Sequence, residues 1–312
     1  MASGDARLIE VAAGVLTDAR NRVLLMQRLP GKHLAGLWEF PGGKLEPGEA
    51  IEHALARELR EELGIEAHAF APVISLPWRY PEKSVRLHAL RVTGWRGEPQ
   101  AREGHPLRWA PLEELDPTRM PAADRPIVTA LRLPAHYVIT AKEPKLGPAG
   151  ACAPHEPPLL QLRFPDSDRA DVRACAKDLL TRTPQWRTRL LINADIELAR
   201  ELGLGVHLHA TQLRELHERP LPNAQWVGAS CHDADELGRA AMVGADFATL
   251  SPVRATSSHP GALPIGWERF AELVREARLP IYALGGVGPN DLDRAHAAGA
   301  QGVAGISAFA RA

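Results

Sequence analysis

The pattern of hydrophobic and polar positions changes near residue 133. Before this point, short apolar runs of β-type surround one strongly helical stretch at residues 50–63, as in an α+β domain with a central helix. The runs with strand character lie at residues 9–16, 23–26 and 85–92. We therefore predict a first domain at residues 1–133.

After residue 133, eight short apolar runs follow one another, mostly separated by amphipathic helical stretches. They lie at residues 137–140, 159–163, 189–193, 205–208, 226–230, 247–251, 280–284 and 302–305. Strands that alternate with helices form parallel sheets, and eight such units close into a barrel. We therefore predict a compact (βα)₈ barrel of the TIM type as a second domain at residues 134–312.

The charge balance argues against direct binding to nucleic acid or to a membrane. The 312 residues carry a formal net charge of -1 and have a pI near 6.9, so no overall field attracts phosphate backbones or anionic lipids. No run of about 18 apolar residues occurs, and residues 1–10 lack a signal-peptide pattern. Cys152, Cys175 and Cys231 are widely spaced, which indicates reduced thiols rather than a disulfide framework or a zinc site. We expect a soluble, cytoplasmic protein.

Three carboxylates are predicted to share one face of the helix at residues 50–63. Glu58, Glu61 and Glu62 stand at positions i, i+3 and i+4 beside an apolar stripe, and Gly64 is suited to end the helix. Like charges at this spacing repel one another, and a hard divalent cation with oxygen ligands relieves the repulsion. The alternative is an acidic surface that is simply solvated.

The spacing around this helix resembles the Nudix box. The required residue types are present at Gly43, Glu49, Arg57, Glu58, Glu61, Glu62, Gly64 and Ile65. Residues 37–44, with the sequence LWEFPGGK, resemble the MutT-type branch, which hydrolyses 8-oxo-dGTP. The resemblance covers residues 8–133 and implies an α/β/α fold with a mixed sheet. It also implies an enzyme that cleans the nucleotide pool and so supports DNA repair.

The resemblance implies catalytic roles for individual residues. The three helix carboxylates, the Gly42 carbonyl and Glu103 are expected to bind metal, and Glu103 also resembles the family's base-like glutamate. Arg57 is expected to orient a carboxylate by a forked hydrogen bond, with Glu49 supporting from the loop. More than one Mg²⁺, or Mn²⁺ in its place, would neutralise the triphosphate and line up a water molecule for in-line attack on phosphorus. The expected products are a nucleoside monophosphate and pyrophosphate.

Recognition of the nucleotide is expected from three further positions. By resemblance, Arg28 and Phe40 contact the nucleotide, although Phe40 is equally suited to the core. Asp124 stands where the family has a purine-reading asparagine. An ionised aspartate accepts from N7–H of 8-oxoguanine but loses the bond to O6 unless it is protonated. We favour 8-oxo-dGTP, with a cytosine nucleotide as the rival because a carboxylate also accepts from the cytosine amine.

The second domain resembles the superfamily of thiamine-phosphate synthase and thiazole tautomerase, whose fold is a (βα)₈ barrel. The matching segments lie at residues 160–163, 191–193, 205–208, 228–232, 250–253, 284–287 and 302–308. The expected ligand-binding residues are Arg163, Ser230, His232, Gly286, Gly305 and Ser307. The glycines, with Ser307 opening a short helix, suit a phosphate bound by backbone N–H groups. The implied ligand is a phosphorylated thiazole or a thiamine-related compound.

Departures from the synthase pattern indicate that the barrel lacks synthase activity. A lysine that would meet pyrophosphate is absent after Arg163, and Ala194 and Gln212 stand where the synthase has aspartates for Mg²⁺. His232 is a candidate proton shuttle of a tautomerase, with a buried structural histidine as the alternative. The barrel is then a tautomerase-like enzyme or a regulatory module that binds a phosphate ligand.

Two predictions concern the whole chain. Fusion of linked chemistries gives a second enzyme hypothesis, in which the Nudix site hydrolyses a thiamine-pathway diphosphate. Residues 141–158 are too rich in Pro and Gly for a good helix, and only five residues follow Ser307. Because helices one and eight of the barrel would both be weak, we expect the first domain, or a second chain in a homodimer, to cover the seam.

Overall fold

The chain divides into two compact units, Met1–Arg132 (unit 1) and Leu133–Ala312 (unit 2). The computed structural model describes residues 8–140, 158–256, 261–306 and 309. Ser307 and residues 141–157, on which the seam prediction depends, lie outside the described residues. Within the described ranges, no helix has the length and apolar character needed to cross a membrane.

The described part of unit 1 contains two sheets, two α-helices and two short 3₁₀ helices. Its strands are Ile9–Val15 (β1), Arg22–Gln27 (β2), Trp38–Glu39 (β3), Gly42–Lys44 (β4), Glu66–Arg79 (β5), Ser84–Arg96 (β6) and Leu107–Pro111 (β7), and its helices are Ile51–Leu63 (α1) and Arg125–Arg132 (α2). β4, β1, β6 and β5 form a mixed sheet, in which only β1 and β6 are parallel. β3, β2 and β7 form a second, antiparallel sheet.

Helices cover both faces of the mixed sheet. Successive residues of a strand point to opposite faces, and the chain along β1 shows this alternation. Ala12 and Leu16 belong to the core cluster of α1, whereas Ala13 and Val15 pack in a second cluster with Ile127 of α2. The predicted α/β/α fold with a mixed sheet is thereby confirmed.

Helix α1 is held in place by an apolar stripe. Ala54, Leu55, Leu59 and Leu63 are buried along one side of the helix. Burial of each leucine contributes about 1.5–3 kcal/mol of hydrophobic free energy. Gly64 then ends the helix in the left-handed conformation, with φ 70°. The stripe fixes the rotation of α1 and therefore the direction of its acidic side.

Unit 2 is a closed barrel of eight parallel strands. The strands are His136–Ile139 (β8), Leu159–Leu162 (β9), Leu190–Asn193 (β10), Gly205–Leu208 (β11), Val227–Cys231 (β12), Phe247–Leu250 (β13), Ile281–Ala283 (β14) and Gly302–Gly305 (β15). The α-helices described with them are Arg169–Arg182 (α3), Ile196–Leu202 (α4), Ala210–Glu215 (α5), Ala234–Val243 (α6), Gly266–Glu276 (α7) and Leu292–Ala297 (α8). β8 closes the barrel between β15 and β9. All eight predicted strands are present, and the predicted barrel is confirmed.

Aromatic side chains fill the interior of the barrel. Tyr137, Phe247 and Tyr282 are fully buried, and their ring centroids lie 5.3–5.5 Å apart. The interior is therefore a packed core rather than a pore. In barrels of this kind, sites form at the carboxyl ends of the strands.

Candidate active site

Two glycines bring the loop before α1 against the acidic side of this helix. Gly42 has φ +143°, and a Cβ atom there would lie 2.2 Å from the Ala12 carbonyl oxygen of the neighbouring strand. At Gly43, a Cβ atom would lie 2.3 Å from the carboxyl carbon of Glu58. A side chain at Gly42 would push the backbone of β1 away, and one at Gly43 would displace the Glu58 carboxylate, so glycine is what allows this approach.

Arg57 ties the same loop to the helix. Its Nε and Nη2 atoms donate to the two carboxylate oxygens of Glu49, at 3.1 and 3.0 Å. Nη1 donates to Glu58 Oε1 at 2.8 Å. The hydrogen bonds from Arg57 are the largest cause of the lowered pKa of Glu49. Arg57 thus forms a fork with Glu49 and a single bond that orients Glu58.

Glu62 carries a carboxyl group with a strongly raised pKa. Its Oε2 accepts a hydrogen bond from the Gly42 N–H at 2.9 Å. Burial raises the pKa of Glu62 to about 8. The negative charges of Glu58, Glu39 and Glu103 act in the same direction. Glu62 is therefore largely protonated at neutral pH, because its carboxylate would be buried beside other negative charges.

Glu103 reaches this cluster from the loop between β6 and β7. The N–H of Arg102 donates to the Glu62 carbonyl oxygen at 2.9 Å, which fastens the loop to the end of α1. Glu103 Oε2 lies 3.4 Å from Nε2 of His105. Because its charge contributes to the raised pKa of Glu62, Glu103 lies within electrostatic range of the helix carboxylates.

These side chains have the chemistry of a divalent-cation site but do not converge as a ready ligand set. In the part of the chain that the structure describes, no three His, Cys, Asp or Glu side chains are arranged to hold a metal ion. Glu58 is paired with Arg57 instead, and the Glu61 side chain is 55 % exposed. The donors are nevertheless all oxygen atoms, and the charges of Glu58, Glu39 and Glu103 all act on Glu62. The set fits Mg²⁺ by donor type, and convergence would require side-chain rotation.

The three residues predicted to contact the nucleotide differ in their surroundings. Arg28 Nε donates to the His33 carbonyl oxygen at 2.6 Å, and Nη1 forms an ion pair with Oε2 of Glu39. Phe40 is 4 % exposed and packs in the core cluster that contains residues of α2, so its contact with a nucleotide stays a prediction. Asp124 is 7 % exposed. Burial raises the pKa of Asp124 well above its usual range, and the charge of Glu39 acts in the same direction.

The sequence predictions miss two residues of this region, Glu39 and Tyr80. The carboxyl of Glu39 lies close enough to raise the pKa values of both Asp124 and Glu62. The Tyr80 hydroxyl is hydrogen-bonded to the backbone of Ala123, and burial raises its pKa. An acidic residue within the LWEFPGGK run is a usable signal for a paired or functional carboxylate. Tyr80, at the end of a hairpin, gives no such signal.

A chain of buried hydrogen bonds crosses the interior of unit 2. Gln161 Nε2 donates to Asn193 Oδ1 at 2.6 Å, so Gln161 Oε1 accepts from the Tyr137 hydroxyl at 3.0 Å. Tyr137 then accepts from Nδ1 of His207 at 2.9 Å, and Nε2 of His207 accepts from Ser230 Oγ at 2.9 Å. Burial lowers the pKa of His207 to about 3, so the ring is neutral. The hydroxyl proton of Ser230 is thereby turned toward the interior.

The remaining predicted ligand residues of unit 2 lie at or near the carboxyl ends of strands. Arg163 follows β9, and none of the described carboxylates pairs with its guanidinium group. His232 follows β12, with Nδ1 2.8 Å from the Ser251 carbonyl oxygen, and it is exposed, so the alternative of a buried structural histidine is wrong. Gly286 has φ +66°, and a Cβ atom there would lie 2.5 Å from a backbone carbonyl oxygen. Gly305 is buried at the end of β15.

The positions that lack the synthase aspartates serve local structure. Gln212 Nε2 donates to the Ala194 carbonyl oxygen at 2.8 Å, and Gln212 Oε1 accepts from the His209 N–H at 3.0 Å. The adjacent acid, Asp195, pairs with Arg169 and caps α4. These groups do not fit a Mg²⁺-bound diphosphate, because the oxygen donors at the two positions are an uncharged amide and a backbone carbonyl.

Comparison with known families assigns both units. A model of the NUDIX domain matches residues 12–130, and a model described as thiamine monophosphate synthase matches residues 137–309. The chain therefore belongs to the Nudix family through unit 1 and to the thiamine monophosphate synthase family through unit 2. Unit 1 is a Nudix hydrolase domain.

Curated relatives each cover less than half of this chain. The 8-oxo-dGTP diphosphatase of Escherichia coli (strain K12) is 35 % identical over 124 residues, which are 40 % of this chain and 96 % of the relative. The CTP pyrophosphohydrolase of the same strain is 41 % identical over 124 residues, 40 % of this chain and 91 % of that protein. A putative thiamine-phosphate synthase 2 of Aquifex aeolicus (strain VF5) is 39 % identical over 154 residues, 48 % of this chain and 82 % of the relative.

Proposed function

We propose that unit 1 is a Mg²⁺-dependent pyrophosphohydrolase that cleaves a nucleoside triphosphate, in the first place 8-oxo-dGTP, to the monophosphate and pyrophosphate. The observation that carries the proposal is the cluster of carboxylates around Glu62, whose pKa is raised to about 8. The ion would be held by Glu58, Glu61, Glu62, Glu103 and the Gly42 carbonyl. When bound, Mg²⁺ supplies the positive charge that neutralises the phosphate oxygens.

Two residues of the cluster have further roles: Arg57 orients carboxylates, and Glu103 accepts a proton. Arg57 is a positioning residue, because its bonds to Glu49 and Glu58 hold these two carboxylates at fixed places. A carboxylate oxygen of Glu103, on a loop fastened to α1, takes the proton of the attacking water molecule. Proton transfer at Glu103 leaves the charge of the helix carboxylates unchanged during the reaction.

A neutral Asp124 explains how an aspartate replaces the family's asparagine. Its raised pKa makes the side chain a carboxylic acid with one donor and one acceptor. This pair matches O6 and N7–H of 8-oxoguanine. Guanine offers two acceptors at the same edge and would leave the carbonyl oxygen of the buried acid without a partner. The protonated form therefore favours 8-oxo-dGTP over dGTP.

A cytosine nucleotide is the second candidate substrate. The same acid donates to N3 of cytosine and accepts from its exocyclic amine. The 41 % identity to a protein named CTP pyrophosphohydrolase favours this candidate.

A substrate panel tests the proposal for unit 1. Full-length protein is incubated with Mg²⁺ and 8-oxo-dGTP, dGTP, CTP, dCTP or a thiamine-type diphosphate, and the products are analysed. We expect 8-oxo-dGTP to be turned over faster than dGTP, with release of pyrophosphate. Equal turnover of these two nucleotides contradicts selection by the base. A preference for the thiamine-type diphosphate supports the second enzyme hypothesis instead.

For unit 2 we propose a metal-independent site for a phosphate-bearing ligand, with tautomerase-like rather than synthase chemistry. Arg163 supplies a cation without a carboxylate partner among the described residues, and Gly286 lets its own loop pack closely against the backbone of Ala255. His232 donates from Nδ1 to the Ser251 carbonyl oxygen, which leaves Nε2 as a proton acceptor. Formation of thiamine phosphate from the two phosphorylated precursors by the full-length protein would contradict the proposal.

A further inference from the structure

Glu39 acts electrostatically on both Glu62 of α1 and Asp124, the residue proposed to contact the base, and has no role in the reaction as proposed so far. It is on β3, opposite Met26 of β2, and its side chain is 19 % exposed. Its Oε2 forms an ion pair with Nη1 of Arg28. Arg28 also acts electrostatically on Asp124, but Glu39 is the acid that forms an ion pair with it among the described residues.

The guanidinium group of Arg28 is held from two sides. Nε donates to the His33 carbonyl oxygen at 2.6 Å, and Glu39 pairs with Nη1. The backbone of Arg28 is fixed as well, because its N–H donates to the Leu37 carbonyl oxygen and its carbonyl accepts from the Gly36 N–H, both at 3.0 Å. Glu39 is the side chain that fixes the direction of the charged group.

The electrostatics agree with this placement. Burial raises the pKa of Glu39, while the charges of Arg28 and His105 lower it. The charge of Glu39 in turn raises the pKa values of Asp124 and Tyr80, and Arg28 opposes both effects. Arg28, Glu39, Asp124 and Tyr80 therefore form one coupled group around the base pocket.

We infer that Glu39 is a positioning residue that aims Arg28 at the nucleotide, and that it acts on substrate binding rather than on the chemical step. The inference rests on the proposed function, in which Arg28 contacts the nucleotide. A merely structural Glu39 would change the stability of unit 1 without changing its affinity for nucleotides. A Glu39 that touched the reacting phosphates would change kcat.

Kinetics of the full-length Glu39→Gln variant test the inference. We expect KM for the preferred nucleotide to rise about tenfold, the effect of losing one charge-assisted hydrogen bond, while kcat stays within about threefold. Binding of the corresponding nucleoside monophosphate in EDTA, measured by calorimetry, should weaken by a similar factor. In the Arg28→Ala background, Glu39→Gln should have no further effect on KM, because the two residues act as a pair.

A matched ion pair at the start of β2 provides the control. Arg22, the first residue of β2, donates from Nε to Asp18 Oδ2 at 2.8 Å, so Asp18→Asn removes the acid of a pair outside the proposed site. This variant should leave KM unchanged. Glu39→Asp keeps the charge and should retain part of the affinity, which gives a second reading if the glutamine variant does not fold.

Three results overturn the inference. They are an unchanged KM and monophosphate affinity in Glu39→Gln, a fall in kcat at unchanged KM, and an equal rise of KM in Asp18→Asn. Failure of the wild-type protein to hydrolyse or bind any nucleotide is a separate result, which defeats the proposed function itself.

Discussion

The acidic side of α1 in unit 1 and the carboxyl ends of the barrel strands in unit 2 handle charge in opposite ways. Unit 1 gathers carboxylates and compensates them with Arg57 and with a proton on Glu62. Unit 2 presents Arg163 without a carboxylate partner among the described residues, and Gln212 stands where a metal-binding acid is expected. We propose that the first site is complementary to a cation and the second to an anion. In this proposal, two phosphate-related sites on one chain need not share a dependence on metal.

The largest expected effect is that of Glu62→Gln on hydrolysis by unit 1. We expect kcat to fall at least about 100-fold, because an amide replaces a ligand oxygen that would carry charge once the ion is bound. Thermal unfolding should change little, since the acid already carries a proton in the absence of the ion. Glu52→Gln, at an exposed position in the first turn of α1, is the matched control and should keep full activity. Full activity of Glu62→Gln would remove the metal assignment.

Removal of divalent metal should affect the activity of unit 1 but not ligand binding by unit 2. EDTA is expected to abolish nucleotide hydrolysis by unit 1, whereas calorimetric binding of a phosphorylated thiazole by unit 2 should be the same with EDTA as with Mg²⁺. The physical reason is that the phosphate site proposed for unit 2 offers a cation and backbone N–H groups, and no carboxylate among the described residues pairs with that cation. Binding to unit 2 that requires Mg²⁺ would contradict the contrast between the sites.

Recognition of the oxidised base should depend on Asp124 and on its protonation. Asp124→Ala is expected to reduce the ratio of kcat/KM for 8-oxo-dGTP over dGTP about tenfold or more. Wild-type kcat/KM for 8-oxo-dGTP, divided by that of Asp124→Asn, should fall as pH rises through the raised pKa of Asp124, because the ionised acid loses its hydrogen bond to O6. Asp124→Asn keeps a donor and an acceptor at every pH and therefore serves as the reference. A wild-type value that does not vary with pH relative to this variant would contradict recognition by a protonated Asp124.

The smallest effect on activity is expected from a change inside the barrel. Tyr137→Phe removes the hydroxyl between Gln161 and His207, and the two buried partners then lack a hydrogen bond. We expect the free energy of unfolding of unit 2 to fall by about 1–3 kcal/mol, measured by denaturant titration. Nucleotide hydrolysis should be unchanged. A loss of hydrolysis in this variant would mean that the two activities are coupled.

Local periodicity predicts most of the fold but not the first strand of the long hairpin of unit 1. Helix α1 and the eight barrel strands follow from apolar runs, because burial on one or both faces leaves a direct trace in the sequence. The strand Glu66–Arg79 leaves no such trace. It contains Pro72 and Pro77, and its register with β6 shifts between Ala67 and Ala69 and between Pro72 and Ile74. Pairing with β6, rather than local pattern, decides its structure.

The candidate site likewise combines features that the local sequence predicts with features that it does not. Helical spacing alone places Glu58, Glu61 and Glu62 on one side of α1, because side chains three and four positions apart are neighbours on a helix. The protonation of Asp124 depends on burial by segments that are distant in sequence. The bond between Tyr137 and His207 likewise joins residues 70 positions apart. Such features follow from tertiary structure, and no local motif reports them.

A crystal structure of the full-length protein with Mg²⁺ and a non-hydrolysable nucleoside triphosphate tests the central claim most directly. We predict ions with carboxylate oxygens of Glu58 and Glu62 at about 2.0–2.1 Å, shared with the phosphates, and the base at Asp124. A nucleotide bound with no ion at the acidic side of α1 would contradict the claim.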